Sequence, residues 1–221
     1  MIRVTPAPEP STFDSRVRIP GLRAIGEMVG EMPVRTAGRR FKKIADKRED
    51  ISSGSFPAYW TEALDDLMQA YDHICAYSCF RIHPVTGSRS VDHFAAKSHE
   101  WDKVYEWGNY RLTSSLLNSR KNHFGDVLDP FKIVDGWFQL ELVGFQVIPD
   151  PELLKEQKNI WNRVNDTIIR LGLDDFRHRR KREEDAARYW GDDISFRVLT
   201  EESPFVAKEL RRQGRLNAGD V

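Results

Sequence analysis

Apolar residues recur at helical spacing through the last third of the chain. Leu153, Leu154, Ile160, Trp161, Val164, Ile168 and Leu171 form one stripe, with Gln157 as its polar interruption. Asp150-Pro151 ahead of it supplies a capping carboxylate and a first-turn proline, and Gly172 suits a left-handed end, so a long helix is expected over 150–171. A further helix is expected over roughly 174–190, and Ser203-Pro204 opens a last one carrying Phe205, Val206 and Leu210. Before these, Phe138, Leu140 and Leu142 alternate with Trp137, Gln139, Glu141 and Val143, and Gly144 breaks the run ahead of Phe145 and Val147. Period two of this kind predicts a β-hairpin or two consecutive strands. Upstream, Trp60, Leu64, Leu67, Met68 and Tyr71 predict a helix opening at Pro57, and that stripe is assigned to the core. Phe80 and Ile82 suggest a strand, and Pro84-Val85-Thr86-Gly87 a turn. Residues 36–48 are expected to form a short basic helix. The first 20 residues, with Pro6, Pro8, Pro10 and Pro20, are expected to be an extended arm with little order of its own.

Composition changes this picture in two ways. At 221 residues and 40% hydrophobic content the chain can bury a sizeable core. Its 34 Lys and Arg balance 34 Asp and Glu, so bulk charge gives no general attraction to phosphate. Distribution argues the other way, because residues 1–48 hold eleven Lys or Arg against five Asp or Glu. A second basic run, Arg177 to Arg182, is followed by Glu183, Glu184 and Asp185, the pattern of a solvated helix face laced by i,i+4 ion pairs. No apolar stretch approaches a membrane span, no signal-like segment opens the chain, and the two cysteines are expected to stay reduced, so a cytoplasmic protein is expected.

The chemistry concentrates in residues 91–123. Asp92-His93, then Asn109, then a helix-borne Asn118 offer what hydrolysis of a phosphodiester needs. His93 is a base for the attacking water, and Asp92 and Asn118 are hard oxygen donors for a cation that absorbs charge on the leaving oxygen. Lys97, Arg111, Arg120 and Lys121 lie near enough in sequence to neutralise phosphate, with a plain surface charge as the competing reading for each.

The ordered set Asp92-His93, Asn109-Tyr110-Arg111-Leu112 and Asn118-Ser119-Arg120-Lys121, followed by Asp126-Val127-Leu128-Asp129-Pro130-Phe131, resembles the HNH endonuclease family over residues 73–132. The resemblance implies an α+β fold with a ββα-metal core, Val91 to Phe94 on its first strand, Tyr110 to Thr113 on its second and Asn118 on the helix beneath both. It implies His93 as general base, Asn109 as the side chain that orients the His93 ring, Asp92 and Asn118 as ligands of Mg²⁺ or Mn²⁺, and DNA as substrate. The family's helix supplies either Asn or His as the last ligand. Here Asn118 and His123 are five positions, about 500° of helix, apart and cannot both face one ion, so Asn118 is preferred.

Many relatives carry a structural zinc on two Cys-x-x-Cys pairs. This chain keeps only Cys75 and Cys79, with Ser78 at the usual place of the second thiol, and has Ser114 and Leu117 where the other pair would fall, so structural zinc is not expected. A rescue by His73 and His83 is the alternative, while Leu116 and Leu117 are expected to fill the zinc space with hydrocarbon. The expected organisation is a basic N-terminal arm over 1–56, a nuclease core over 57–135 and a hairpin with helices over 136–221 packed on it. The resemblance extends to HNH proteins of Septu and retron anti-phage systems, which implies an ATPase partner. A catalytically silent nucleic-acid-binding or scaffold subunit, or an RNA nuclease acting for instance on transfer RNA, are the readings from other classes.

Overall fold

In the computed structural model, which describes residues 1–122 and 124–220, the N-terminal stretch is built into the molecule. Val4 donates its amide to the Pro130 carbonyl and Trp107 donates its indole N–H to the Ala7 carbonyl. A π-helical turn, Asp14–Arg18, then runs straight into α1 (Ile19–Val29). This helix was not expected, since the first 20 residues read as an extended arm and the stretch to residue 56 as a basic arm. Pro20 lacks an N–H and its ring crowds the carbonyl one turn back, and the wider π turn just before it accommodates both. Gly30 ends α1 in the left-handed conformation.

The expected basic helix over 36–48 does not form. The segment instead runs irregularly along α1, with the Phe41 amide on the Glu27 carboxylate and the amides of Ile44 and Ala45 on the Met28 carbonyl. Those long-range bonds satisfy amides that a helix would have bonded locally, and Gly38 adopts a positive φ in its middle. A 3-10 segment, Tyr59–Ala63, precedes α2 (Leu64–Ala70), so the expected helix at Pro57 starts later and more tightly wound. Leu67 and Met68 face the core as the stripe predicts. The expected strand at Phe80 and Ile82 reduces to one bridge, Ile74 to Arg81.

β1 (Arg89–His93) pairs antiparallel with β2 (Tyr110–Ser114), placing Asp92 opposite Arg111 and His93 opposite Tyr110. The long connection between them is latched at its mouth, where the Phe94 amide donates to the Asn109 carbonyl. α3 (Ser115–Lys121) follows β2 without a break, capped by Ser114, whose hydroxyl accepts the Leu117 amide. Leu117 is buried beneath it, whereas Leu116, expected beside it, points outward at 41% exposure.

β3 (Phe138–Leu140) and β4 (Val147–Pro149) form the second hairpin. The long helix expected behind Asp150 is two, α4 (Pro151–Glu156) and α5 (Lys158–Leu171), divided at Gln157, whose backbone leaves helical geometry at the polar interruption. α6 (Phe176–Trp190) begins on the Asp175 cap, α7 (Phe196–Glu202) on Ser195, and α8 (Pro204–Arg212) at Ser203-Pro204. On α6 Arg180 pairs with an exposed Glu184, whereas Lys181 pairs with Asp185, which is buried and also accepts from the Ser203 hydroxyl, so the expected charged face is only partly solvated. Arg182 departs from it and is buried, donating to the Phe145 and Leu173 carbonyls. The whole is a mixed α+β arrangement of two small antiparallel sheets among helices. Among the described residues no helix is long and apolar enough to cross a membrane.

Candidate functional site

The ends of β1 and α3 enclose a pocket of about 520 Å³ whose wall includes Asp92, His93, Lys97 and Asn118. A larger hollow of about 1030 Å³ lies on the other side of the 94–96 segment, lined by Phe94, His99, Arg111 and Phe131 among others. The smaller pocket is the candidate site, because it gathers a base, a carboxylate, an amide and a cation.

His93 is 8% exposed and its Nε2 lies 2.9 Å from the Val104 carbonyl. A carbonyl only accepts, so Nε2 carries the proton and Nδ1 keeps its lone pair. The ring meets Tyr110 and Trp60 edge-on, at centroid distances of 5.1 and 4.8 Å. Burial first, then the nearby Lys97 ammonium, push the His93 pKa down to about 3, with the Val104 bond pulling the other way. The imidazole is therefore neutral across the physiological range.

Asn109, expected to orient this ring, does so only at one remove. Its side-chain oxygen accepts the Ala95 amide at 2.7 Å and its amide donates to the carbonyls of Ala95 and Lys103. It thus cross-ties both ends of the 94–109 loop, and the loop in turn presents Val104 to His93. The reason is position: Asn109 ends the 3-10 turn Trp107–Asn109 just before β2, at the exit of β1, where its side chain bonds loop backbone.

Asp92 is 1% exposed. One carboxylate oxygen accepts from the Tyr77 hydroxyl and the other from the Lys121 ammonium at 3.0 Å. Lys121, also 1% exposed, spends its remaining donors on the carbonyls of His93 and Phe94, each at 3.2 Å. Three oxygens thus surround one ammonium. Burial raises the Asp92 pKa from its ordinary value, against the pull of Lys121 and Tyr77. Asn118 donates to the Ser90 hydroxyl at 2.7 Å and to the Val91 carbonyl at 3.2 Å, which fixes its amide and leaves the oxygen as an acceptor.

Whether these residues suit a hard divalent ion follows from that donor set. A carboxylate and an amide oxygen on one pocket wall are what Mg²⁺ takes, together with water and substrate phosphate. The fit is right in kind, and Lys121 stands in competition for Asp92. His123 lies outside the described residues. Among the described residues no three His, Cys, Asp or Glu side chains gather in a metal-holding group. Cys75 and Cys79 are buried free thiols, the first facing the Thr113 hydroxyl at 3.6 Å, and His83 accepts the Val85 and Thr86 amides on its Nδ1.

Of the four cations expected at phosphate, only Lys97 lines the pocket. Arg111 is buried in a two-pronged pair with Asp129, both bonds 2.9 Å, with its guanidinium 3.5 Å from the Phe131 ring centroid. Arg120 reaches across to the Leu171 and Gly172 carbonyls and the Asp175 carboxylate. Lys121 is spent on Asp92. These three are structural cations, because each found an acceptor inside the fold that local sequence does not reveal. Two site residues escape sequence reasoning altogether. Trp60 reads as one member of a core stripe, and Tyr77 carries no local signal beyond its place between the two cysteines.

Comparison of the chain with protein-family models, with curated proteins and with solved structures finds no match in any of the three.

Proposed function

We propose that this chain is an endonuclease of the HNH kind that hydrolyses DNA phosphodiester bonds with Mg²⁺ or Mn²⁺. The observation that carries the reading is His93. It stands in a pocket with Asp92, Asn118 and Lys97, and its Nε2 is committed to the Val104 carbonyl, so that Nδ1 is the proton acceptor. The succession of β1, β2 and α3 supports it as well, since it is the order a ββα unit requires.

In this reading a phosphate diester enters beside Lys97, and His93 takes the proton of the attacking water on Nδ1. The Val104 carbonyl accepts from Nε2 throughout and stabilises the imidazolium as it forms. A base with a pKa of about 3 is weak at neutral pH. Entry of an anionic phosphate opposes the charge of Lys97 and raises it toward the useful range. Asp92 and Asn118 are the residues that would hold the metal, which when bound supplies charge stabilisation to the leaving oxygen. Burial of His93 against Trp60 and Tyr110 limits water around the base.

The proposal extends to the setting that the sequence resemblance implies, a bacterial anti-phage system with an ATPase partner. The exposed ribbon bearing Arg39, Arg40, Lys42 and Lys43 is the surface we assign to that partner. A second reading, a silent binding or scaffold subunit, is favoured by one observation: both Asp92 oxygens are already engaged by Tyr77 and Lys121. One experiment separates them. His93→Ala should keep DNA binding within about threefold of the parent and lose cleavage by roughly 10²–10⁴-fold, the usual worth of a general base. Plasmid DNA digested beside a structured RNA reads out the substrate in the same assay. Cleavage by His93→Ala at the parental rate would sink the nuclease reading, and absence of cleavage in both proteins under all metals would favour the silent subunit.

A further inference from the structure

Two residues of the pocket wall, Ser53 and Trp60, lie more than thirty positions upstream of the motif. Trp60, half-buried on the 3-10 segment Tyr59–Ala63, lines the same pocket wall as His93 and Lys97. Its ring lies at 89° to the His93 imidazole and stacks on Tyr105 at 6.2 Å and 27°. The Lys97 ammonium rests over its face, 4.1 Å from the centroid. Among the described residues Lys97 is the one Lys or Arg on the pocket wall, and the rest of that wall is rich in hydroxyls, from Ser53, Ser90, Ser98, Ser115 and Ser119.

The choice of partner for this lysine matters. A carboxylate would cancel the ammonium charge and compete with an incoming phosphate. An aromatic face attracts the cation through its quadrupole and leaves the full charge available to a ligand. Tryptophan gives the strongest such face, and stacking on Tyr105 fixes its plane. Burial also pushes the Lys97 pKa down, which sharpens its need for an anionic partner.

We propose that Trp60 is a positioning residue for phosphodiester binding: its ring face holds the Lys97 ammonium beside His93, so that one phosphate meets the cation and the imidazole together. The inference rests on the nuclease reading for the identity of its ligand.

The test is a double-mutant cycle on Trp60 and Lys97, read first by binding of a fluorescein-labelled DNA duplex in buffer with EDTA, so that no cleavage intervenes. Trp60→Leu and Lys97→Met should each weaken binding by roughly tenfold, the scale of a desolvated cation–π contact. The double variant should be no weaker than Lys97→Met alone, because the two act as one unit. Trp60→Phe, which keeps a weaker face, should recover most of the loss. In cleavage assays Trp60→Leu should raise KM by more than it lowers kcat. Parental binding by Trp60→Leu, multiplying losses in the double variant, or parental binding by Lys97→Met would each overturn the proposal. If Trp60→Leu does not fold, the same cycle with Trp60→Phe decides, its smaller loss being expected only when Lys97 is present. Cleavage that persists in His93→Ala would sink the nuclease reading while the binding cycle still reports on Trp60 and Lys97.

Discussion

Of the shifted groups in the site, His93 bears most directly on how stability depends on acidity. Unfolded, a histidine binds its proton near pH 6.5, whereas in the folded protein burial and Lys97 hold it off until about pH 3. Between those values the unfolded chain binds more protons than the native one, so stability falls with acidity. The contribution is complete above pH 6.5 and is lost progressively as pH drops toward 3, at about 1.4 kcal/mol per pH unit for one proton. His178, whose pKa burial also lowers, adds a second component of the same sign. We predict that His93→Gln flattens the dependence of unfolding free energy on pH between 6 and 4 by about one proton, measured by urea denaturation across that range. Parallel curves for the two proteins would mean that His93 is not buried as described.

At the scale of elements, the region after α1 shows how one carboxylate organises seventeen irregular residues. Glu27 is almost fully buried and accepts from the Arg35 guanidinium at 2.7 Å, from Arg23 at 3.3 Å and from the Phe41 amide at 3.2 Å. Glu27→Ala would strand a largely buried Arg35 and release the 31–47 segment, at a cost of about 3–5 kcal/mol. Trypsin should then cut after Arg39, Arg40, Lys42 or Lys43 much faster than in the parent, and unchanged digestion with unchanged Tm would refute the anchoring role. None of this is legible in the sequence, since 36–48 reads as a basic helix and its true partners lie on another element. By contrast α6 and α8 were legible, α6 as a helix over roughly 174–190 and α8 because Ser203-Pro204 marks its start chemically. Local patterning failed over 19–29, where part of the expected arm forms α1, and at Gln157, where the helix breaks. The same division runs through the site. Asp92, His93 and Asn118 could be found from their order, whereas Trp60 and Tyr77, and the burial of Arg111 and Lys121, depend on contacts between distant segments.

For the molecule as a whole, the N-terminal stretch is part of the core that supports the site. Phe13 packs edge-on against Trp107 and Tyr110, each at 5.7 Å, and Tyr110 in turn flanks His93. Phe13 and Val17 are both about 1% exposed. Removing residues 1–18 would therefore open a cavity beneath the β1–β2 hairpin, with a cost of about 3–5 kcal/mol for Phe13 alone. That is a large part of a typical domain's stability of about 5–15 kcal/mol, so the truncated protein should lose its cooperative calorimetric transition. A sharp transition at the parental Tm would show the segment to be dispensable. The clamp from Arg120 to Leu171, Gly172 and Asp175 has a different consequence, in time. It spans 55 positions to Asp175, and at about 5–20 residues per second the ribosome needs roughly 3–11 s to make that stretch. For that interval α3 exists without the partners that hold its outer side, and Asn118 rides on a helix too short to be stable alone. The pocket is thus finished late in synthesis, and a nascent chain carries the motif before it carries the site.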